Sequence, residues 1–139
     1  MGILGYFARD GRAIVRLRVS GPSREKMIKL ELDTGAEPSL LLSREIADEL
    51  GIATFPGHFA TLADGSRLQV EAGSISVDWI DGQREVEVIV WSKTVGETRS
   101  SGPESPDGLL GRGLLWAASV WIDHQNRELE ITDSKPKGT

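Results

Sequence analysis

The 139-residue chain contains no cysteine, so neither a disulfide-stabilised scaffold nor thiolate chemistry is available to it. Its two histidines, His58 and His124, lie far apart and fit no metal-ligand spacing, so no metal site is expected. No uninterrupted apolar run reaches the roughly 18 residues that a membrane span needs. The net charge of −5 is opposite in sign to that of a typical nucleic-acid-binding domain. We therefore expect no metal, no membrane and no nucleic-acid partner.

Signals for other locations and enzyme classes are also missing. The apolar start, Met1–Phe7, is too short for a secretory signal and has no basic segment before it, so a cytoplasmic location is the default expectation. No G-x-S-x-G elbow, P-loop or dinucleotide fingerprint occurs, and no cofactor is expected. The length suits one domain over residues 1–139, with a core at about 13–132.

What the sequence does contain is a series of short alternating apolar and polar runs, which predict a mainly β protein. Two of them flank Asp64-Gly65 and two flank Asp81-Gly82, dipeptides that close tight hairpins. Ser43–Leu50 predicts a helix, with Ser43 as its N-cap and Gly51 as its stop. A second short helix is expected from Arg112 to about residue 117, after a polar and mobile loop at about residues 93–107. The predicted strands are 13–20, 27–32, 40–42, 59–62, 67–70, 74–80, 85–91, 120–123 and 128–132.

The tripeptide Asp33-Thr34-Gly35 lies where a predicted strand ends and a turn begins. A carboxylate at such a junction can be held by backbone N–H groups, because Gly35 has no Cβ to keep the backbone away. The Thr34 hydroxyl can fix the loop by bonding to the main chain. Two such carboxylates placed about 3 Å apart would share one proton and could act as acid and base on a peptide bond. The alternative is an ordinary turn, since Asp, Thr and Gly are common turn residues.

A second motif, Gly108-Leu-Leu-Gly-Arg-Gly-Leu-Leu115, follows about seventy-five residues later, and Ile122-Asp123 comes after a tryptophan-containing segment. Together with Leu32–Ala36, this order resembles the retropepsin-like aspartic proteases, and the helix at Ser43–Leu50 fits their single-domain prokaryotic members best. The resemblance runs from about residue 14 to residue 131. It implies an acid-protease fold built as a closed, barrel-like half, with one short helix after the Asp-Thr-Gly-Ala strand and one near the C-terminus.

The resemblance also implies roles for individual residues. Asp33, Thr34 and Gly35 would be catalytic, and Leu109-Leu110-Gly111 would pack beneath them, with Gly111 allowing a close approach. Arg112 would form a partly buried ion pair with Glu37 near a dimer interface. The alternative is that these two are unrelated surface charges.

Substrate-binding roles are implied for the hairpin at residues 61–69, which would be a flap over the substrate. Its tip is Ala63-Asp64-Gly65, and Ala36 is also expected to bind substrate. The alternative is a plain exposed hairpin. Glu31 departs from the apolar residue usual at its position, and strand alternation puts it on the same face as Asp33. It would either bias a pocket toward basic side chains or perturb the titration of the aspartates.

The chain has one Asp-Thr-Gly and is too short for a two-lobed enzyme. The resemblance therefore implies a homodimer acting on a peptide or protein substrate, with the segment 127–132 as a candidate interface strand. The rival interpretation is a protease-fold dimerisation or peptide-binding module with weak or no catalysis.

Overall fold

A computed structural model describes residues 2–61, 64–91 and 105–133. They form ten strands, which belong to one hydrogen-bonded sheet, and two short helices. The strands are β1 (Ile3–Phe7), β2 (Ala13–Ser20), β3 (Glu25–Leu32), β4 (Leu40–Leu42), β5 (Phe55–Thr61), β6 (Arg67–Trp79), β7 (Gly82–Trp91), β8 (Gly108–Leu110), β9 (Ala118–Asp123) and β10 (Glu128–Asp133). The helices are α1 (Arg44–Leu50) and α2 (Arg112–Leu115).

Six of the strands close into a barrel. Its order is β6-β7-β4-β8-β3-β2, and β2 pairs back onto β6 through Val19 and Ser20. The side chains that point inward are aliphatic and almost fully buried, as period-2 alternation requires. They include Val15, Leu17, Val19, Ile28, Leu30, Leu40, Leu42, Val77, Val88, Val90 and Leu110. This core holds the short strands β4 and β8 side by side, which positions the candidate site.

The remaining strands extend the sheet beyond the barrel. β1 pairs with β2 on one side and β10 on the other, and β9 follows β10 at the edge. Because β10 is paired on both sides, it has no free edge to which a partner strand could add. The assignment of residues 127–132 to a dimer interface stays a prediction.

Helix α1 follows from local signals. The Ser43 hydroxyl accepts a hydrogen bond from the Ile46 N–H (3.3 Å), and Gly51 ends the helix in the left-handed region at φ 75°. Ile46, Ala47 and Leu50 form its buried face against the barrel.

Most predicted strands are confirmed, with several differences. β1 and β8 were not predicted, and β5 begins at Phe55 instead of at residue 59. β6 is one 13-residue strand instead of two, because its pairing with β7 continues without a break past Gly73. Glycine is required at this position for a separate reason, since a Cβ there would lie 2.6 Å from the Ala53 carbonyl oxygen. The second helix ends at Leu115. The predicted loop at 93–107 lies almost wholly outside the described residues, as does the tail beyond residue 133.

Candidate active site

Asp33 directly follows the last residue of β3 and is partly exposed. Its N–H donates to the Leu110 carbonyl oxygen (2.9 Å), so the strand end is fixed to β8. The Gly35 N–H donates to Asp33 Oδ1 (2.9 Å), and a Cβ at Gly35 would lie 3.2 Å from that oxygen. The backbone therefore approaches the carboxylate as closely as the sequence predicts. The Ala36 N–H closes the turn on the Asp33 carbonyl oxygen (3.1 Å).

The loop of residues 33–39, here called the Asp33 loop, is clamped by the segment that follows β8. Three successive N–H groups, those of Gly111, Arg112 and Gly113, donate to main-chain carbonyl oxygens of this loop. Their acceptors are those of Ser39 (3.0 Å), Ala36 (2.7 Å) and Glu37 (3.1 Å). A Cβ at Gly111 would overlap the Pro38 carbonyl oxygen and approach that of Ala36 to 2.8 Å. The predicted close packing of Leu109-Leu110-Gly111 beneath Asp33 is therefore present.

A cavity of about 840 Å³ opens above Asp33. We call the Asp33 loop together with residues 109–113 the floor, and β5 together with residues 64–70 the roof. The floor contributes Asp33, Gly35, Ala36, Glu37, Pro38, Ser39, Leu109, Arg112 and Gly113 to the lining. The roof contributes His58, Phe59, Ala60, Thr61 and Val70, and the walls are Leu41, Glu87 and Ile89. The volume falls within the range of small-molecule and cofactor sites, roughly 300–1,000 Å³.

Glu31 does not line this cavity, but it belongs to the same surface of the sheet. In register, Glu31 lies beside Leu109, Leu109 beside Leu41, and Leu41 beside Ile89. Side chains at directly opposed positions share a face, so Glu31 continues the row that forms the cavity wall. Its other neighbour in the row is the buried Ile14.

The predicted partly buried ion pair between Glu37 and Arg112 is wrong for the single chain. Both residues are exposed, and no ion pair joins them in the described parts of the chain. The two segments are linked through the backbone instead, because the Arg112 N–H donates to the Ala36 carbonyl oxygen and the Gly113 N–H to that of Glu37, and both Glu37 and Arg112 line the cavity. The presence of a Glu and an Arg at these positions does not determine where their side chains point. Here main-chain hydrogen bonds, instead of an ion pair, join the Asp33 loop to residues 111–113.

The hairpin around Asp64-Gly65 is present, with Thr61 paired to Arg67 and Gly65 at φ 86°. Asp64 Oδ1 accepts hydrogen bonds from the Ser66 hydroxyl (2.6 Å) and the Ser66 N–H (2.9 Å). These bonds, the hydroxyl first, hold the pKa of Asp64 below its ordinary value. Asp64 therefore stabilises the turn, and in this chain it does not line the cavity. Ala63 lies outside the described residues.

Thr34 is exposed, and its hydroxyl forms no hydrogen bond with any part of the chain that the structure describes. The expectation that it bonds to the main chain is therefore not met within one chain. Ala36 lines the cavity, as the resemblance implies.

Sequence reasoning missed several polar or aromatic lining residues, among them His58, Phe59 and Glu87. Glu87 could have been predicted, because it lies two residues before Ile89 on β7 and residues two apart in a strand share a face. His58 and Phe59 follow a register shift in β5 that the sequence does not reveal. The guanidinium of Arg67 lies 4.5 Å from the Phe59 ring centre, which holds this ring at the cavity rim.

Two absences concern only residues 2–61, 64–91 and 105–133. No group of three or more histidines or acids there is arranged to hold a metal ion, and no helix there is long and apolar enough to cross a membrane.

Among solved structures, the chain is similar to the EIAV (equine infectious anaemia virus) protease complexed with the inhibitor HBY-793. The TM-score is 0.55 at 14% sequence identity, over 78% of this chain and 89% of that one. No family model and no curated protein matches the sequence. The likeness and the closed six-strand barrel together show a mainly β, retropepsin-like fold, which confirms the predicted fold class.

Proposed function

We propose that the chain is the single-domain subunit of an aspartic-type endopeptidase. In this proposal, two Asp33 carboxylates of a homodimer activate the water that hydrolyses a peptide bond. The observation that carries it is the setting of Asp33, whose carboxylate is held by the Gly35 N–H on a clamped loop beneath a cavity of about 840 Å³. The retropepsin-like fold supports the same class of reaction.

The chemistry follows from placing two such carboxylates together. Neighbouring carboxylates cannot both ionise at little cost, so the pair holds one proton between them. The ionised member removes a proton from water as the water attacks the peptide carbonyl carbon, and the protonated member donates to the carbonyl oxygen. In the diol that results, the aspartate that gained the proton passes it to the peptide nitrogen, the C–N bond breaks, and the other aspartate takes a proton back from a diol hydroxyl, which leaves a carboxylic acid and an amine. The Gly35 N–H keeps one Asp33 oxygen in place through this exchange. Thr34, exposed and without a partner in the described chain, is free to bond across the two-fold axis.

The roof is the part that would close over a bound peptide. His58, Phe59, Ala60 and Thr61 face the floor across the cavity, and a segment that closes there would exclude water from the reaction. Glu31 stands in the row next to the lining residue Leu109. We propose that it either favours a basic substrate side chain or alters the titration of the aspartates. Comparing cleavage after Lys or Arg with cleavage after Leu or Phe, in the parent and in Glu31→Leu, separates the two effects.

The test of the function is cleavage of an unfolded protein or a peptide library between roughly pH 4 and 7, comparing the parent with Asp33→Asn and Asp33→Ala. Loss of acid–base catalysis should lower kcat/KM by at least about 10²–10⁴-fold. The matched control is Asp81→Asn, which changes an exposed Asp before a Gly at the β6–β7 turn, outside the cavity lining, and should retain most of the activity.

Activity that survives both Asp33 changes would overturn the mechanism. A parent that is a proven dimer yet cleaves nothing would instead favour a peptide-binding module with the same fold.

A further inference from the structure

The walls of the cavity combine two apolar side chains with one acidic side chain. Leu41 and Ile89 lie opposite each other in register on β4 and β7, and both line the cavity. Glu87 lies two residues before Ile89, so the two side chains leave β7 on the same face. Ligand sites commonly pair an apolar lining with a few polar groups that fix the orientation of the ligand. Glu87 is the polar group of this wall.

The Glu87 carboxylate has no partner within the part of the chain that the structure describes. The residue opposite it on β6 is Ser74, but the Ser74 hydroxyl donates to Oε1 of Glu85 instead (2.8 Å). No described cation forms an ion pair with Glu87. Since Glu87 is also exposed, its charge is available to a ligand in the cavity.

The other charges of the described lining belong to the floor. They are Asp33, Glu37 and Arg112, so carboxylates outnumber fixed cations around the cavity. Glu37 and Arg112 have opposite charges and lie on two segments that main-chain hydrogen bonds join. Glu87 stands apart from them, beside apolar neighbours on the wall. A cationic group bound against the wall would therefore meet Glu87 as its nearest opposite charge.

A lysine or arginine side chain matches this wall in both of its parts. Such a side chain packs its aliphatic stem on apolar surface while its charged head keeps a polar partner. Here the stem would lie on Ile89 and Leu41, and the head would reach Glu87. An apolar side chain gains only the stem contact, and an acidic side chain is repelled, so the wall discriminates by charge.

We infer that Glu87 is a specificity-determining residue, which selects peptides that place a lysine or arginine against this wall. The inference rests on the proposed function, because that function makes a peptide the ligand of the cavity. It concerns a different position from Glu31, which lies beyond Leu109 at the far end of the row and outside the lining.

The test uses a library of acetylated and amidated octapeptides in which each position in turn is fixed as Lys, norleucine or Glu. Norleucine has the stem of lysine without the charge. At one position the parent should cleave the Lys peptides with a higher kcat/KM than the norleucine peptides. Glu87→Gln should lower this ratio about five- to tenfold, between the values for an exposed ion pair and for a charge-assisted hydrogen bond. Glu87→Lys should favour Glu at that position.

Glu85→Gln is the matched control. Glu85 lies two residues before Glu87 on the same face of β7, but it is bonded to Ser74 and does not line the cavity. The control removes the same charge and should leave the ratio unchanged. Both glutamine variants keep the size of the side chain at an exposed position, and circular dichroism checks that they are folded.

A parent that treats Lys and norleucine alike at every position would overturn the inference, as would a folded Glu87→Gln with the parent's ratio. An equal loss in Glu85→Gln would indicate the general negative field of β7 and would also overturn it. Cleavage without any selection by charge would leave the peptidase proposal intact.

Binding separates the inference from the mechanism. The same library is bound to Asp33→Asn and analysed by affinity selection and mass spectrometry, which needs no cleavage. If the parent cleaves nothing, enrichment of Lys over norleucine peptides that is lost when Glu87→Gln is added would still support the role of Glu87. Without such enrichment, the inference would fail as well.

Discussion

The floor and the roof of the cavity contain the same residue type for opposite reasons. In the floor, a Cβ on Gly111 or Gly113 would run into the main chain of the Asp33 loop, so glycine is there for lack of space. In the roof, Gly57 and Gly65 have nothing within 4 Å of a Cβ and adopt φ of 98° and 86°. Glycine is there for its conformational range. Main-chain hydrogen bonds clamp the Asp33 loop to residues 111–113, whereas β5 in the roof is a largely exposed edge strand paired with β6.

The largest difference should come from truncating one apolar residue in each region. Leu110 is fully buried and its carbonyl oxygen accepts from the Asp33 N–H. Leu110→Ala should cost about 2–5 kcal/mol of unfolding free energy through the cavity it leaves. Phe59→Ala, in the roof and 56% exposed, should cost less than about 1 kcal/mol while lowering kcat/KM. Urea denaturation and peptide cleavage measure the two effects.

Equal destabilisation by these two variants would contradict the distinction between a packed floor and an open roof. So would a Phe59→Ala variant with unchanged activity, since its ring lines the cavity.

A sharper test substitutes the glycines themselves. Gly111→Ala should cost roughly 1–3 kcal/mol and reduce activity, because the Asp33 loop must shift to admit the new methyl group. Gly65→Ala should cost about 1 kcal/mol, from the left-handed backbone alone.

Asparagine separates the two causes. It tolerates positive φ, so Gly65→Asn should recover most of the lost stability. At Gly111 it is larger than alanine and should be worse. A Gly111→Asn variant as stable as Gly111→Ala would argue against steric overlap as the cause.

The features that the sequence predicted correctly are those set by residues close together in the chain. The Asp33 loop, the α1 cap at Ser43 and the Asp64-Gly65 turn depend on neighbours within a few residues, and all three were predicted. The spacing from Asp33 to Gly111 was informative only through the family resemblance. That resemblance predicted that Gly111 approaches the Asp33 loop closely, and the structure shows this approach.

What the sequence did not reveal depends on distant pairing or on side-chain direction. Nothing in Ile3–Phe7 indicates that it inserts between β2 and β10, and this insertion removes the free edge expected at 127–132. The start of β5 at Phe55 is hidden by Pro56 and Gly57, which suggest a loop when the strand partner is unknown. The absent Glu37–Arg112 ion pair shows that a matched pair of charges does not fix where either side chain points.

Acid should loosen the roof before the floor, because the hydrogen-bonded carboxylates of Glu71 and Asp64 support the roof, whereas three main-chain hydrogen bonds clamp the floor. Glu71 of β6 accepts a hydrogen bond from the Thr54 hydroxyl (2.5 Å), just before β5, and pairs with Arg44 of α1 (3.0 Å). The Thr54 hydroxyl first, then Arg44, hold the pKa of Glu71 below its ordinary 4.5, and Ser66 lowers that of Asp64 from 3.8.

A carboxylate whose pKa is lower in the folded state stabilises the fold above its ordinary pKa, and this stabilisation is lost as pH falls through the lowered value. We therefore expect amide hydrogen exchange, corrected for its intrinsic pH dependence, to show β5 opening more as pH falls below about 4.5. The exchange of Gly111, Arg112 and Gly113 should stay protected over the same range, since main-chain donors and acceptors do not titrate there. This effect should be smaller than those of the Leu110 and Gly111 variants.

The double variant Glu71→Gln with Asp64→Asn should open β5 at neutral pH and flatten its response to acid. If β5 in this variant responded to acid as in the parent, other groups would hold the roof.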